Sequence, residues 1–274
     1  MDRAVIIGTF NFLGFHFCTS ILEAGYEVIG VHYDMEKEEL LEEKRMEIGR
    51  NANFHEESYS KWLPLAEISK QTLVIIDLYN FHQRECNETL EKSDLLEKFL
   101  SKNKKRLQET DSKVIFLLPI QWLSGSSEMF TRTLPQEANW HYIYLPAIYG
   151  PWQPSSYIIQ QALLKSFDEK RKIKLHEDEW IDDILYIDDV VEEILLMADK
   201  ESASSFVLKN EIPDQWIKCA EYLAIPIPSY DNHHKLSTLD MSKIKIRMLK
   251  SQMQYSEGIE KQRRHLKLLL NGRF

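Results

Sequence analysis

The sequence is poor in cysteine, in long apolar runs and in excess positive charge, and each shortage excludes a class of protein. Its 274 residues include three cysteines, none in a Cys-x-x-Cys pair or beside a histidine at zinc-ligand spacing, which argues against a disulfide framework or a zinc site. No apolar run approaches the roughly 18 residues that a membrane-spanning helix needs. The formal net charge of -9 opposes non-specific binding to nucleic acid or to an anionic membrane.

The composition, 43% hydrophobic and 28% charged, is that of an ordinary globular protein. One large domain, or a large domain with a small appendage, is expected from the length. The chain passes from Met1 directly into a short apolar segment, without the longer apolar stretch of a signal peptide, so the cytoplasm is the expected location. No internal repeat or low-complexity linker divides the sequence.

The first 31 residues predict a strand, a tight turn, a helix and a second strand. Residues 4–7 are a short β-branched run that ends at Gly8, residues 12–24 have helical periodicity, and residues 27–31 form the next apolar run. A doubly wound α/β domain with a parallel sheet begins in this way. Further strands are predicted over residues 73–77, 114–118 and 141–148, and helices over 35–50, 93–107, 155–169, 189–198, 214–223 and most of 239–270.

Four motifs, in order along the chain, resemble those of one protein family. They are the turn Gly8-Thr9-Phe10-Asn11-Phe12-Leu13-Gly14, the Tyr-Gly-Pro that ends residues 143–151, the Asp-Asp-Val within residues 185–191, and Asp-x-Ser-Lys followed by Glu-Gly-Ile within residues 240–259. Together they resemble the extended short-chain dehydrogenase/reductases of the NAD-dependent epimerase/dehydratase family. The resemblance covers residues 4 to 260.

This resemblance implies an α/β fold: a Rossmann-type doubly wound parallel sheet with a small C-terminal α/β substrate-type subdomain. Residues 1–150 are predicted to form the Rossmann-like nucleotide-binding domain. Residues 151–274 are predicted to form mainly the subdomain, with a segment around residues 181–200 returning to the Rossmann core.

The resemblance further implies a dinucleotide site at the glycine-rich turn, formed by Gly8, Phe10, Asn11, Phe12, Leu13 and Gly14. Asn11 replaces the glycine that lets the backbone approach the pyrophosphate. Asparagine tolerates left-handed backbone angles, so the turn should persist while the room for phosphates shrinks. The alternative is a turn that preserves the fold and binds no dinucleotide.

The choice of coenzyme depends on the end of the second strand, where members that prefer NAD carry an acidic residue for the ribose 2′-hydroxyl. That position is His32 in this chain. A neutral histidine can bond a hydroxyl and a cationic one can meet a 2′-phosphate, while Asp34 lies two residues on. The implied cofactor is therefore NAD or NADP, with binding that is weak or lost.

The catalytic motif of the family is missing. The resemblance implies a tyrosine with a lysine four residues later, which lowers the phenol's pKa, between the predicted strands 114–118 and 141–148. The interval 119–140 contains neither residue type. The match of Tyr33 with Lys37 follows the second strand and is interpreted as coincidence, so no catalytic residue is assigned.

Other polar residues have simpler interpretations. Ser124, Ser126 and Ser127 are interpreted as loop and helix-cap residues, Asp188-Asp189 as the cap and first turn of a helix, and His233-His234 as part of an exposed loop. An acid pair or metal site at either of the last two is the alternative, and no metal site is predicted. Tyr144 and Tyr149 are the substrate-side candidates, although Tyr149 is most simply interpreted as a turn and packing residue, with a substrate contact as the alternative.

Three functions stay open. The first is a catalytically inactive relative that binds a nucleotide, a nucleotide sugar or a partner protein, including a second copy in a homodimer. The second is an atypical epimerase, dehydratase or reductase that uses Tyr142, Tyr144 or Tyr149, although none has a lysine four residues on. The third is a structural protomer of an assembly.

Overall fold

The structure is a computed structural model that describes residues 2–32, 39–65, 68, 72–80, 86–110, 112–124, 140–175, 179–200, 205–226 and 244–272. The predictions for Asp34, for Tyr33 with Lys37, for Ser126 and Ser127, and for His233-His234 concern residues outside these ranges. Within these ranges, no helix is both long enough and apolar enough to cross a membrane.

A parallel sheet of eight strands forms the centre of the described chain. The strand order is β3-β2-β1-β4-β5-β6-β9-β10, and every neighbouring pair is parallel. A second, two-stranded sheet pairs β7 with β8. The strands are β1 Arg3–Ile7, β2 Glu27–His32, β3 Phe54–Ser58, β4 Thr72–Asp77, β5 Lys113–Pro119, β6 Trp140–Leu145, β7 Ala147–Tyr149, β8 Ile184–Tyr186, β9 Ser205–Asn210 and β10 Lys245–Leu249.

Helices cover both faces of the large sheet, so the predicted doubly wound fold is confirmed. The helices are α1 Phe12–Glu23, α2 Leu41–Ile48, α3 Tyr59–Leu65, α4 Cys86–Glu109, α5 Ile158–Phe167, α6 Ile187–Lys200, α7 Gln215–Tyr222 and α8 Tyr255–Asn271. A short 3-10 helix, Ile120–Ser124, follows β5.

Two hydrophobic cores explain why the central strands have nearly continuous apolar sequences. In β1, Ala4 and Ile6 point into the core that contains α1 and α6, whereas Val5 and Ile7 point into the core that contains α3 and α4. All four side chains are buried. A parallel strand covered on both faces needs apolar residues at successive positions, not only at alternate ones.

The small sheet pairs one strand from each side of residue 150, β7 and β8. Its strand β7 packs against α8 at Gly258, where an added Cβ atom would lie 2.8 Å from the phenol oxygen of Tyr149. Only a residue without a Cβ atom therefore fits where α8 crosses the small sheet. Helices α5 and α8 are also joined by a buried hydrogen bond from Gln262 Nε2 to Gln160 Oε1, 2.7 Å long.

The helical prediction for most of residues 239–270 is wrong in its first part, because β10 occupies residues 245–249. This segment is charged and its strand lies exposed at the edge of the sheet. Its composition suggested a helix, but its pairing with β9 determines that it is a strand. Two strands that follow residue 151, β9 and β10, extend the main sheet. The division of the chain near residue 150 stays a prediction.

Candidate nucleotide-binding crevice

The crevice lies outside the carboxyl ends of β1 and β4, where the strand order of the sheet reverses. Ligands of open α/β sheets bind at such a point. The turn from β1 into α1 forms one wall. Its Gly8 has a φ of +86°, and the N–H groups of Gly8 and Thr9 donate to the carbonyl oxygen of Val31 at 2.8 and 3.2 Å. The turn is thus held against β2.

The third glycine of the motif allows α1 to approach the turn closely. A Cβ atom on Gly14 would lie 2.1 Å from the carbonyl oxygen of Gly8, a distance at which the backbone must move. This is the packing role that the glycine pattern implies for this position.

Asn11 reaches into the crevice, although not in the backbone conformation expected from its sequence. Its φ and ψ are -62° and 166°, so the left-handed residue of the turn is Gly8 and not Asn11. Its side chain is fully buried and donates from Nδ2 to the carbonyl oxygen of Asp77 at 3.4 Å. The same nitrogen would lie 2.7 Å from a Cβ atom on Gly8. The amide therefore covers the first glycine.

Asp77 places a carboxylate at the N-terminus of α1. Its Oδ2 accepts from the N–H of Gly14 at 2.8 Å, its Oδ1 accepts from the N–H of Tyr79 at 3.0 Å, and the residue is fully buried. The positive end of the helix dipole and the N–H groups of the first turn favour an anion here, which in dinucleotide-binding folds is the pyrophosphate. In this chain the N–H of Gly14, in the first turn of α1, donates to the side chain of Asp77.

Three buried aromatic side chains lie near Asp77, at the carboxyl end of β4. The rings of Tyr79 and Tyr157 stack, with centroids 6.2 Å apart and an interplanar angle of 11°, and Phe12 lies 6.2 Å from Tyr157. The Tyr79 hydroxyl donates to the carbonyl oxygen of Pro146, and the Tyr157 hydroxyl donates to Asn80 Oδ1, each at 2.7 Å. All three rings are buried. These contacts join β4, α1 and the loop before α5.

Basic side chains lie on the β2 side of the turn. His32 Nε2 is 3.4 Å from Glu56 Oε1, and the same oxygen is 2.7 Å from Arg45 Nη2. The Arg45 guanidinium also lies over the ring of Phe10, 5.4 Å from its centroid. His32, the position of the family's acidic residue, is therefore next to an acid on the neighbouring strand.

A buried lysine supports the turn from α2. Lys44 is 1% exposed and donates from Nζ to the carbonyl oxygen of Phe10 at 2.6 Å. Its ammonium group lies 5.7 Å from the centroid of the Phe15 ring. A buried charge is tolerated when it is hydrogen bonded and lies over an aromatic face.

The two substrate-side tyrosines are buried, and burial raises the pKa of both phenols above the ordinary tyrosine value. Tyr144 lies in β6. Tyr149 packs against Tyr186, with centroids 5.4 Å apart, and its hydroxyl donates to the carbonyl oxygen of Tyr255 at 3.4 Å. The lysine of the family motif has the opposite effect on a tyrosine, which is to lower its pKa.

Two other buried acids, Asp189 and Glu179, differ in their surroundings. Asp189, in the first turn of α6, accepts from Ser251 Oγ at 2.6 Å, which joins α6 to the segment after β10. Burial raises the pKa of Glu179 to about 7, although the N–H of Ile158 donates to it and opposes this rise. Glu179 Oε2 is buried without a hydrogen-bond partner in the described part of the chain.

The described residues include no group of three His, Cys, Asp or Glu side chains that could hold a metal ion.

Sequence reasoning missed Asp77, Lys44, Tyr79 and Glu179. A signal existed for Asp77, because it is the last residue of a predicted strand and the carboxyl ends of parallel strands meet at one edge of the sheet. No comparable signal marked Lys44 or Glu179, which lie in charged segments typical of exposed surface.

Comparison with known proteins gives structural matches alone. No protein-family model matches the sequence, and no curated protein matches it. UDP-glucose 4-epimerase of Thermotoga maritima, solved with UDP-glucose, is 17% identical over 98% of this chain and 99% of its own, with a TM-score of 0.67. The dTDP-glucose 4,6-dehydratase of Bacillus anthracis, solved with NAD, is 10% identical over 98% of this chain and 97% of its own, with a TM-score of 0.65.

A third match is UDP-glucuronic acid 4-epimerase of Bacillus cereus, solved with UDP-glucuronic acid and NAD. It is 14% identical over 97% of this chain and 99% of its own, with a TM-score of 0.63. The sheet order, the glycine turn and these matches define a Rossmann-type α/β protein. More particularly, the chain has the fold of the extended short-chain dehydrogenase/reductases, so the resemblance inferred from the four motifs is confirmed at the level of the fold.

Proposed function

We propose that this chain is a degenerate relative of the NAD(P)-binding nucleotide-sugar epimerases and dehydratases and that it acts by binding instead of catalysis. Its ligand is a nucleotide sugar or a protein partner. The observation that carries this proposal is the buried carboxylate of Asp77 at the N–H of Gly14, 2.8 Å away, where a coenzyme diphosphate would be held.

We infer that the side chains at the turn disfavour a dinucleotide. A diphosphate at the start of α1 would meet the Asp77 carboxylate in a buried setting, where repulsion between like charges is strong. Displacing that carboxylate would break two charge-assisted hydrogen bonds, each worth about 1.5–3 kcal/mol. The stacked rings of Tyr79 and Tyr157 would have to separate as well.

The first prediction is that NAD and NADP at 1 mM leave the melting temperature of the protein unchanged. Only a ligand that binds the native state raises it. The measurement is thermal melting with NAD, NADP, UDP-glucose and dTDP-glucose. If only a nucleotide sugar raises the melting temperature, that nucleotide sugar is identified as the ligand. If none of the four compounds raises it, a protein partner is favoured. A dose-dependent rise with either dinucleotide contradicts the proposal.

A second prediction concerns the residues that fill the diphosphate position. In the double variant Asn11→Gly/Asp77→Ala, NAD is expected to raise the melting temperature, because the phosphates gain both space and the N–H of Gly14. The control is Asn51→Gly/Asp168→Ala, which makes the same changes at exposed positions. If the folded double variant ignores NAD as the wild type does, these two side chains are not what excludes the coenzyme.

An atypical enzyme with relocated catalytic residues is the second candidate, and Glu179 is the observation that favours it. Its buried carboxyl group lies close enough to Tyr79 to influence the phenol's pKa, and a carboxyl with a raised pKa is typical of a general acid. The test is NAD(P)H turnover with UDP- and dTDP-sugars. A rate abolished by Glu179→Gln, Tyr144→Phe or Tyr149→Phe would establish catalysis and refute the binding role.

A further inference from the structure

A groove separate from the crevice runs between α1 and α6. It has a volume of about 970 Å³ and opens at the edge of the sheet where β4 and β5 begin. Its floor is apolar and includes Ile21, Leu73 and Val191. This volume is at the upper end of the range for ligand-binding pockets.

The α6 wall of the groove carries an exposed acidic and apolar stripe. Asp188, Glu192 and Leu196 are exposed and follow one another at intervals of four residues, so they lie along one side of the helix. Leu196 is 45% exposed. The opposite wall adds the carboxylate of Glu23 and the ring of Tyr26, which is 39% exposed. The groove thus combines an apolar floor with three carboxylates at its rim, and its lining also includes His16, 3.9 Å from Asp188, and Lys113.

Helix α8 carries the complementary stripe on its exposed side. Lys261, Arg264 and Leu268 are separated by three and four residues, which places them on one side of the helix, and Lys267 lies beside them. Leu268 is 71% exposed, the highest value among the exposed large hydrophobic residues of the described chain. Exposed lysines also lie on α4, at Lys98, Lys102 and Lys105, but no exposed large hydrophobic residue accompanies them among the described side chains of that helix.

We propose that α8 of a second copy docks into the groove between α1 and α6, and that two copies pair reciprocally in this way. At a rise of about 1.5 Å per residue, each stripe spans roughly 11–12 Å from its first charge to its leucine. A parallel alignment of the two helices therefore sets both bases opposite both acids and Leu268 next to Leu196. This surface lies outside the crevice, so the proposal does not depend on the nucleotide-binding state.

The apolar and charged parts of the contact have different roles. Leu268 leaves water on entering the groove, and burial of its apolar side chain favours association. Pairs of exposed charges contribute little to affinity but fix the orientation, and they make association sensitive to salt. Dimerisation is expected to weaken as the salt concentration rises.

The test is sedimentation velocity between 1 and 200 µM with two charge-reversed variants and their mixture. The groove variant is Asp188→Lys/Glu192→Lys, and the helix variant is Lys261→Glu/Arg264→Glu. Each variant alone brings like charges together at both contacts, so its dimer dissociation constant is expected to rise at least tenfold. Mixed in equal amounts, they restore complementary charges at both contacts and are expected to form a heterodimer.

The matched control is Lys102→Glu/Lys105→Glu, which reverses two exposed charges three residues apart on α4 and is expected to dimerise like the wild type. Melting curves of every variant establish that it is folded. A wild-type chain that is monomeric at 200 µM overturns the proposal. So does a dimer that both reversed variants preserve, or a mixture that stays monomeric.

Discussion

Replacing Gly14 by alanine is expected to destabilise the protein by about 3 kcal/mol or more, the upper range for overpacking. The new methyl group would lie 2.1 Å from the carbonyl oxygen of Gly8, so α1 must move away from the turn or the turn must open. Backbone atoms lie on both sides of this contact and cannot rotate away as a side chain can. Chemical denaturation measures the loss, which corresponds to a fall in melting temperature of roughly 6–12 °C for a chain of this size.

Gly272→Ala provides the matched control. Gly272 follows α8 with a right-handed backbone, and an added Cβ atom would have its nearest neighbour at 3.4 Å. We expect a change in the free energy of unfolding within about 1 kcal/mol, since alanine is the better helix former. A Gly14→Ala protein as stable as this control would mean that α1 is not in close contact with the carbonyl group of Gly8.

The central strands could be predicted from the sequence because the sheet buries them on both faces. Strands β1, β4 and β5 have successive apolar residues, a pattern that a strand covered on one face does not need. The edge strand β3 has the sequence Phe-His-Glu-Glu-Ser and β10 has Lys-Ile-Arg-Met-Leu. Both are largely exposed, so their hydrogen bonds to a neighbour, and not their composition, determine that they are strands.

The candidate site could be predicted only as far as local sequence determines it. The spacing of Gly8 and Gly14 predicts a strand-to-helix turn, and this turn is present. The contents of the crevice depend on residues far apart in the chain: the bond between Gly14 and Asp77 joins positions 63 residues apart. Their meeting requires the strand order that places β4 beside β1. A single sequence does not specify that neighbour for Asp77.

Glu179→Gln is expected to become increasingly more stable than the wild-type protein as the pH rises from about 4.5 to 7. Burial raises the pKa of Glu179 from 4.5 to about 7, so the folded state holds a proton that the unfolded chain has already released in this interval. The contribution of this group to the free energy of unfolding is therefore fully present below pH 4.5. It falls by roughly 3 kcal/mol as the pH rises through 7. Glutamine stays neutral and avoids this loss.

The measurement is urea denaturation of both proteins from pH 4.5 to pH 8, with fluorescence and circular dichroism as coincident probes. The amide group introduces its own unpaired donors, which adds a constant offset between the two proteins. The diagnostic quantity is therefore the widening of their stability difference with pH. Glu169→Gln, at an exposed position, controls for the removal of one negative charge. Stability curves that run parallel over the whole interval would mean that the Glu179 carboxyl reaches water in the folded protein.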